Sequence, residues 1–238
     1  MNNKIKKLCF SLVFGLVFLP HMLLANEAAI TVTAPIDAND HESLQRGART
    51  FVNYCLNCHR ANYMRYNRLI DIGLTEKQIK DNLLFAGEKV GDTMKVAMNP
   101  KDAKQWFGVA PPDLSVEVRA RGADWVYAYL RGFYRDSSRP TGWNNTVYDK
   151  VAMPHILYEL QGEQVLNHET HTLELVKPGK LNPTEYNAFV GDLTNYMAYM
   201  AEPGKVHRKH IGLWVLLFLG VMLVLVKKVK NEYWKDIK

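Results

Sequence analysis

One stretch limits what this chain can become more than any other. Ile211 to Val226 is sixteen residues without a charge, close to the C-terminus. As a helix it extends ~24 Å at ~1.5 Å per residue, short of the ~30 Å hydrocarbon core of a bilayer. Its flanks make up the difference. Arg208, Lys209, Lys227, Lys228 and Lys230 have stems long enough to snorkel, and Trp214, Tyr233 and Trp234 suit the two interfaces. A core helix at the end of a chain is rarely fenced by so many lysines. The pattern therefore predicts a single transmembrane helix, leaving the residues before it to fold in water.

The N-terminus carries a second membrane signal. Lys4, Lys6 and Lys7 precede the apolar run Leu8–Leu19, too short to span, and Leu23-Leu24-Ala25 offers a small residue at a cut. Residues 1–25 read as a secretory signal, 26–204 as an exported domain, and 205–238 as the anchor (span 211–226) with a tail of five lysines left inside. Of the net charge of +6, the two ends hold +3 and +6, so residues 26–204 are mildly acidic at −3. A nucleic-acid binder would carry its basic patch on the folded domain, so that class is excluded. With 47% hydrophobic and 23% charged residues, a disordered chain is excluded too.

If the signal is cut, Cys9 leaves with it, and Cys55 and Cys58 remain in Cys55-Leu56-Asn57-Cys58-His59. Three chemistries use such a pair. A structural zinc site needs two more ligands, and His168 and His171 lie more than a hundred residues away. A redox dithiol needs a surrounding βαβ pattern, which is not visible. Covalent c-type haem attachment needs only what is present: two thiols to add across the vinyl groups and an adjacent histidine, His59, as iron ligand. An exported protein with one such motif is expected to hold one covalent haem c.

Four features in order resemble the cytochrome c1 family, the haem-bearing subunit of ubiquinol–cytochrome c oxidoreductase (cytochrome bc1). They are the Cys55–His59 motif, Ala110-Pro111-Pro112-Asp113-Leu114-Ser115 followed by Val118-Arg119-Ala120-Arg121 and an aromatic segment, Ala152-Met153-Pro154, and Glu202-Pro203 before the span. The resemblance covers essentially the whole mature chain and, with its short signal, a bacterial member. It implies a mainly α, cytochrome c-like haem domain with long irregular loops. It also implies electron transfer from the Rieske iron–sulfur protein to a soluble or tethered c-type cytochrome, with cytochrome b as a further partner. The setting would be the inner membrane, with the haem domain in the periplasm and the C-terminus in the cytoplasm. Such a subunit is no enzyme on its own. A free-standing anchored cytochrome serving a terminal oxidase or reductase, and a haem-based gas sensor, are the alternatives.

For the second axial ligand, Met64 is too near His59, Met197 and Met200 sit on an apolar helix stripe, and Met94, Met98 and Met153 are left. Met153 and Met98 both lie near a proline, and the resemblance selects Met153; His155 is a bis-histidine alternative, read instead as a surface or pocket-wall residue. The resemblance further implies a proline carbonyl, taken as Pro112, bonded to the proximal histidine, Arg121 on a haem propionate with Arg119 as backup, and Trp125 and Tyr127 as haem walls. Arg131, Arg135 and Arg139 are expected in solvent. The sequon Asn144-Asn145-Thr146 reads as incidental.

Helices are expected over Ser43–Tyr54, from the capping box at Thr75, over Asp124–Tyr134 and from Asn182-Pro183, the first and last packing together. Residues 86–112 and 135–182 read as irregular, without two-residue alternation. The four glutamates between Glu159 and Glu174, with no Lys or Arg among them, suggest an acidic rim that steers a basic cytochrome.

Overall fold

The computed structural model describes residues 30–96 and 98–236. The signal-like segment 1–25 lies outside the described residues.

Two helices organise the core. Helix α1 (His41–Thr50) opens on Asp40, whose carboxylate accepts the Ser43 N–H at 2.9 Å. It runs on into a π-helical turn, Phe51–Cys55, rather than continuing as α-helix to Tyr54. The long helix that precedes the anchor (Pro183–Ala201) has Asn182 and Glu185 in a reciprocal capping box and Pro183 in its first turn. Tyr186, Val190, Leu193, Met197 and Met200 on it are buried, as the 3.6 period predicts. It packs against α1, and Gly47 marks the closest approach: a Cβ there would lie 2.1 Å from the Asp192 carbonyl oxygen and 2.6 Å from Tyr196 Cβ. Arg46 grips the Asp192 carboxylate with two hydrogen bonds, 2.6 and 3.0 Å, at the same crossing.

Between these helices the chain adds short elements. Strand β1 (Ala61–Arg65) leads into a 3₁₀ segment, Tyr66–Ile72, and helix α2 (Glu76–Asn82) is opened by the Thr75–Gln78 capping box. Strand β2 (Thr93–Met94) pairs antiparallel with β1. Helix α3 (Pro100–Phe107) follows, then α4 (Glu117–Arg121) and α5 (Ala123–Arg131). Strands β3 (Phe133–Arg135) and β4 (Trp143–Asn145) form a hairpin. After the single turn α6 (Tyr158–Gln161) comes a second hairpin, β5 (Gly162–Asn167) and β6 (Thr172–Pro178). The long core helix Pro183–Ala201 is therefore α7, and α8 is Lys205–Tyr233.

The two stretches expected to be irregular thus contain structure. Helix α3 is capped by Asn99, with Pro100 in its first turn, the same device that opens α7. The hairpin β5–β6 lies largely on the surface, with no residue beyond Gly162 buried, so its sequence shows little apolar alternation. Gly162 makes its start possible: φ is +93°, and a Cβ would lie 2.2 Å from the Lys177 carbonyl oxygen.

Helix α8 has 29 residues, ~44 Å at ~1.5 Å per residue, and none of them is buried. An apolar surface exposed on every side is what a bilayer would cover.

Candidate haem site

The turn that ends α1 builds one wall. The N–H groups of Cys58 and His59 both donate to the Cys55 carbonyl, at 3.1 and 2.8 Å, closing the Cys-X-X-Cys-His segment into one turn. Cys55 is buried, while Cys58 and His59 face a cleft with about 520 Å³ of empty space including its open mouth. Phe107 lines the cleft from the end of α3, Val109, Pro111 and Pro112 from the loop after it, and Ala152, Met153, Pro154 and Ile156 from the segment before α6.

His59 Nδ1 lies 2.9 Å from the Pro112 carbonyl oxygen. A carbonyl can only accept, so Nδ1 carries the proton and Nε2 is the nitrogen available to a metal. Burial lowers the imidazole pKa below the usual histidine value, with the Pro112 carbonyl opposing, so the ring stays neutral near pH 7.

A small clamp holds Pro112 in position. Asp113 accepts from the N–H of Asn62 at 3.1 Å and from the N–H and Oγ of Ser115 at 2.8 and 2.5 Å. Ser115 Oγ accepts the Tyr63 N–H at 3.1 Å, and the Leu114 N–H donates to the Arg60 carbonyl at 2.9 Å. The strand that follows His59 is thereby tied to the segment that follows Pro112. Asp113 and Ser115 were not among the expected site residues, although Asp-Leu-Ser after a proline pair is a side-chain-to-backbone turn pattern that could have flagged them.

Burial, with the neighbouring Cys58, pushes the Cys55 thiol up to about 12, and burial raises Cys58 as well. A redox dithiol needs a depressed thiol pKa, so that reading loses its support. His168 and His171 are exposed at the tip of the β5–β6 hairpin, and among the described residues no group of three or more His, Cys, Asp or Glu could hold a metal ion.

The methionines separate cleanly. Met64, Met94, Met197 and Met200 are core, and Met98 does not line the cleft; Met153 does. Its Sδ lies 3.4 Å from the Tyr129 hydroxyl. His155, two residues on, turns away from the cleft. Its ring lies flat on Phe133, 4.7 Å between centroids, and meets Trp143 edge-on at 5.0 Å.

Arg121 and Trp125 do not line the cleft. Arg121 pairs with Glu117 and lays its guanidinium 4.4 Å over the Trp125 ring, which stacks on Tyr129 at 5.1 Å. Arg119 is exposed. Tyr127 faces α7, its hydroxyl donating to the Asn187 carbonyl at 3.4 Å, so it is no wall of the cleft. Nor are the three later arginines simply solvated. Arg131 lies over Tyr127 at 4.7 Å, Arg135 over Trp143 at 3.9 Å and beside Glu163 at 2.8 Å, and Arg139 donates to the Lys150 carbonyl at 3.1 Å. Asn144 of the sequon is buried, its amide bonded to Asp136 and Asp149.

The donor set suits haem. One thiol, Cys58, and a neutral imidazole stand on one wall of an apolar cleft, with the Cys55 thiol buried in the turn behind them and a thioether on another wall, a donor set that fits a c-type haem.

Comparison with known proteins agrees. A family model described as Cytochrome C1 family matches residues 31–237. The "Ammonia monooxygenase gamma subunit" of Nitrosomonas europaea is 57% identical over 86% of this chain and 87% of its own. The "Cytochrome c1" of Allochromatium vinosum is 46% identical over 93% of this chain and 96% of its own. A chain of a "Hyperthermophilic respiratory Complex III" structure is 16% identical, with 98% of both chains covered and a TM-score of 0.49. The chain belongs to the cytochrome c1 family. It carries one covalent haem c, as members of the family do, and is an electron-transfer subunit of the cytochrome bc1 complex beside cytochrome b and the Rieske protein. It turns over no substrate by itself, and α8 fits a membrane anchor.

Proposed function

We propose that Cys55 and Cys58 hold the haem through thioethers, that His59 and Met153 are its axial ligands, and that this site passes single electrons from the Rieske protein to a soluble or tethered c-type cytochrome. The observation that carries the reading is that Cys58, His59, Pro112 and Met153, far apart in sequence, line one apolar cleft. Once bound, the haem supplies a one-electron iron couple. The chain supplies everything that tunes it. The Pro112 carbonyl fixes the tautomer of His59 and makes its imidazole a better donor. The Met153 thioether is a poor donor to ferric iron and raises the potential. Phe107, Pro111 and Ile156 give the cleft apolar walls that would limit the access of water to a bound haem. If His59 and Met153 both hold the iron, a gas or oxygen would have to displace a side chain to bind, which sets this reading apart from an open-site sensor and from the oxygen chemistry named for the Nitrosomonas relative.

Arg121 is exposed and paired with Glu117, so it is a cation for which a propionate would compete, and Trp125 supports it. Residues 1–25 serve as the signal, 26–204 face the periplasm, and the lysines from Lys227 onward face the cytoplasm of a bacterial inner membrane. Positive charge flanks the span on both sides, so the orientation rests on the N-terminal signal, which would carry the domain outside.

Met153→Leu tests the ligand set. The variant is expected to keep its haem covalently, to lose the methionine–iron charge-transfer absorption and to show a markedly lower potential. An unchanged potential and absorption would overturn the assignment of Met153.

A further inference from the structure

We propose that Tyr129 is a positioning residue for the axial thioether: its hydroxyl donates to Met153 Sδ and thereby sets the orientation and donor strength of the sulfur. The inference rests on Met153 as iron ligand. It comes from the contact between the two side chains, 3.4 Å from hydroxyl to sulfur, which joins α5 to the loop that forms one wall of the cleft.

Four further observations make the hydroxyl a fixed donor and not a passing contact. The Tyr129 ring stacks on Trp125, with centroids 5.1 Å apart and planes 10° from parallel. Its other neighbour is Phe133, edge-on at 5.2 Å. Its own carbonyl is held by the Asn145 amide at 2.8 Å. Arg121 closes the far side of the stack over Trp125. Trp125 and Tyr129 are one turn apart on α5, and Arg121, the last residue of α4, reaches Trp125 across the break at Gly122. The row ends at Met153.

The chemistry follows from the lone pairs of a thioether. Sulfur has two; one accepts the phenol proton, and the other is left for iron. A hydrogen bond to sulfur withdraws electron density and weakens its donation. Ferric iron, the more demanding acceptor, loses more by that than ferrous iron, so the bond raises the reduction potential. It also restricts rotation of the methionine side chain, which is flexible when nothing holds it.

Tyr129→Phe in the full chain, assembled in its membrane complex, removes only the hydroxyl and leaves the ring to pack on Trp125 and Phe133. Potentiometric titration of the haem is expected to show the equilibrium shifted toward the oxidised form by roughly three- to tenfold, tenfold being ~59 mV for a one-electron couple. The methionine–iron charge-transfer absorption is expected to shift with it. Tyr129→Leu removes ring and hydroxyl together, and is expected to lower the potential by at least as much. A Phe variant with the parent potential and absorption overturns the proposal, as does a potential that moves only in the Leu variant, because the ring and not the hydroxyl would then be responsible. If the parent protein lacks the charge-transfer absorption altogether, the ligand assignment fails first and takes this inference with it.

Discussion

Pro112 matters for its carbonyl oxygen, and Asp113 is what aims it. The three hydrogen bonds that Asp113 accepts fix the loop one residue from the atom His59 needs. Hydrogen bonds to a charged group contribute about 1.5–3 kcal/mol each at most, and less where water reaches them. Asp113→Ala is therefore expected to cost about 1–3 kcal/mol of stability, seen as a lower thermal midpoint. The looser Pro112 carbonyl should also leave the imidazole less electron-rich and raise the haem potential, the opposite direction from Tyr129→Phe. A redox titration distinguishes the two. At this scale the haem motif was legible because its chemistry is local: two thiols and an imidazole within five residues need no fold to be recognised. Arg121 and Trp125 came from the resemblance alone, and the contacts they make, with Glu117 and Tyr129, follow the four-residue spacing of a helix. Tyr129 left no trace in the sequence at all, being one of many tyrosines until α5 sets it against Met153.

Helix ends were the most readable elements. Thr75 and Asn182 each place a side-chain acceptor three residues before a partner that returns the bond, and both boxes form. The π-helical turn Phe51–Cys55 was not readable, since one extra residue per turn hardly disturbs an apolar period. The hairpin β5–β6 also changes what the glutamates mean. Glu163 sits between Arg135 at 2.8 Å and Lys177 at 3.0 Å, and Glu159 pairs with Lys180 at 2.6 Å. The run Glu159–Glu174 lacks bases within itself, but the fold brings them in from β3, β6 and the turn after it, so this is no uniformly acidic rim. Arg135, and then Lys177, hold the Glu163 carboxyl down at about 2. A depressed carboxylate stabilises the folded form above its ordinary pKa of 4.5, and that contribution is lost as pH falls toward 2. Once the intrinsic exchange rate at each pH is divided out, the β5–β6 amides are therefore expected to lose protection as the pH drops through that window. In Glu163→Gln the window should vanish, while electron transfer to a basic cytochrome keeps its rate and salt dependence.

Over the whole molecule, the core and the anchor are separable. Every large buried side chain belongs to residues before Lys205, and α8 contributes none. Across the junction run the backbone bond from the Lys205 N–H to the Glu202 carbonyl, 3.1 Å, and the ion pair of Arg208 with Glu202 at 2.5 Å, a largely solvated pair of small worth. A stop codon after Gly204 is expected to release a soluble domain that keeps its covalent haem, checked by fractionation and haem staining of a denaturing gel; a truncated protein still in the membrane fraction would contradict a single anchor at α8. What the sequence determined by itself is whatever rests on neighbours along the chain: the haem motif, the helix caps, the uncharged span and its lysine fence. Residue patterns left Met94, Met98 and Met153 open and only the resemblance pointed to Met153 and Pro112; the tertiary structure is what brings these two to His59 and decides which bases answer the glutamates. Those pairings join residues dozens of positions apart, and their geometry comes from the close crossing of α1 and α7 at Gly47 and from the loops that crossing holds in place.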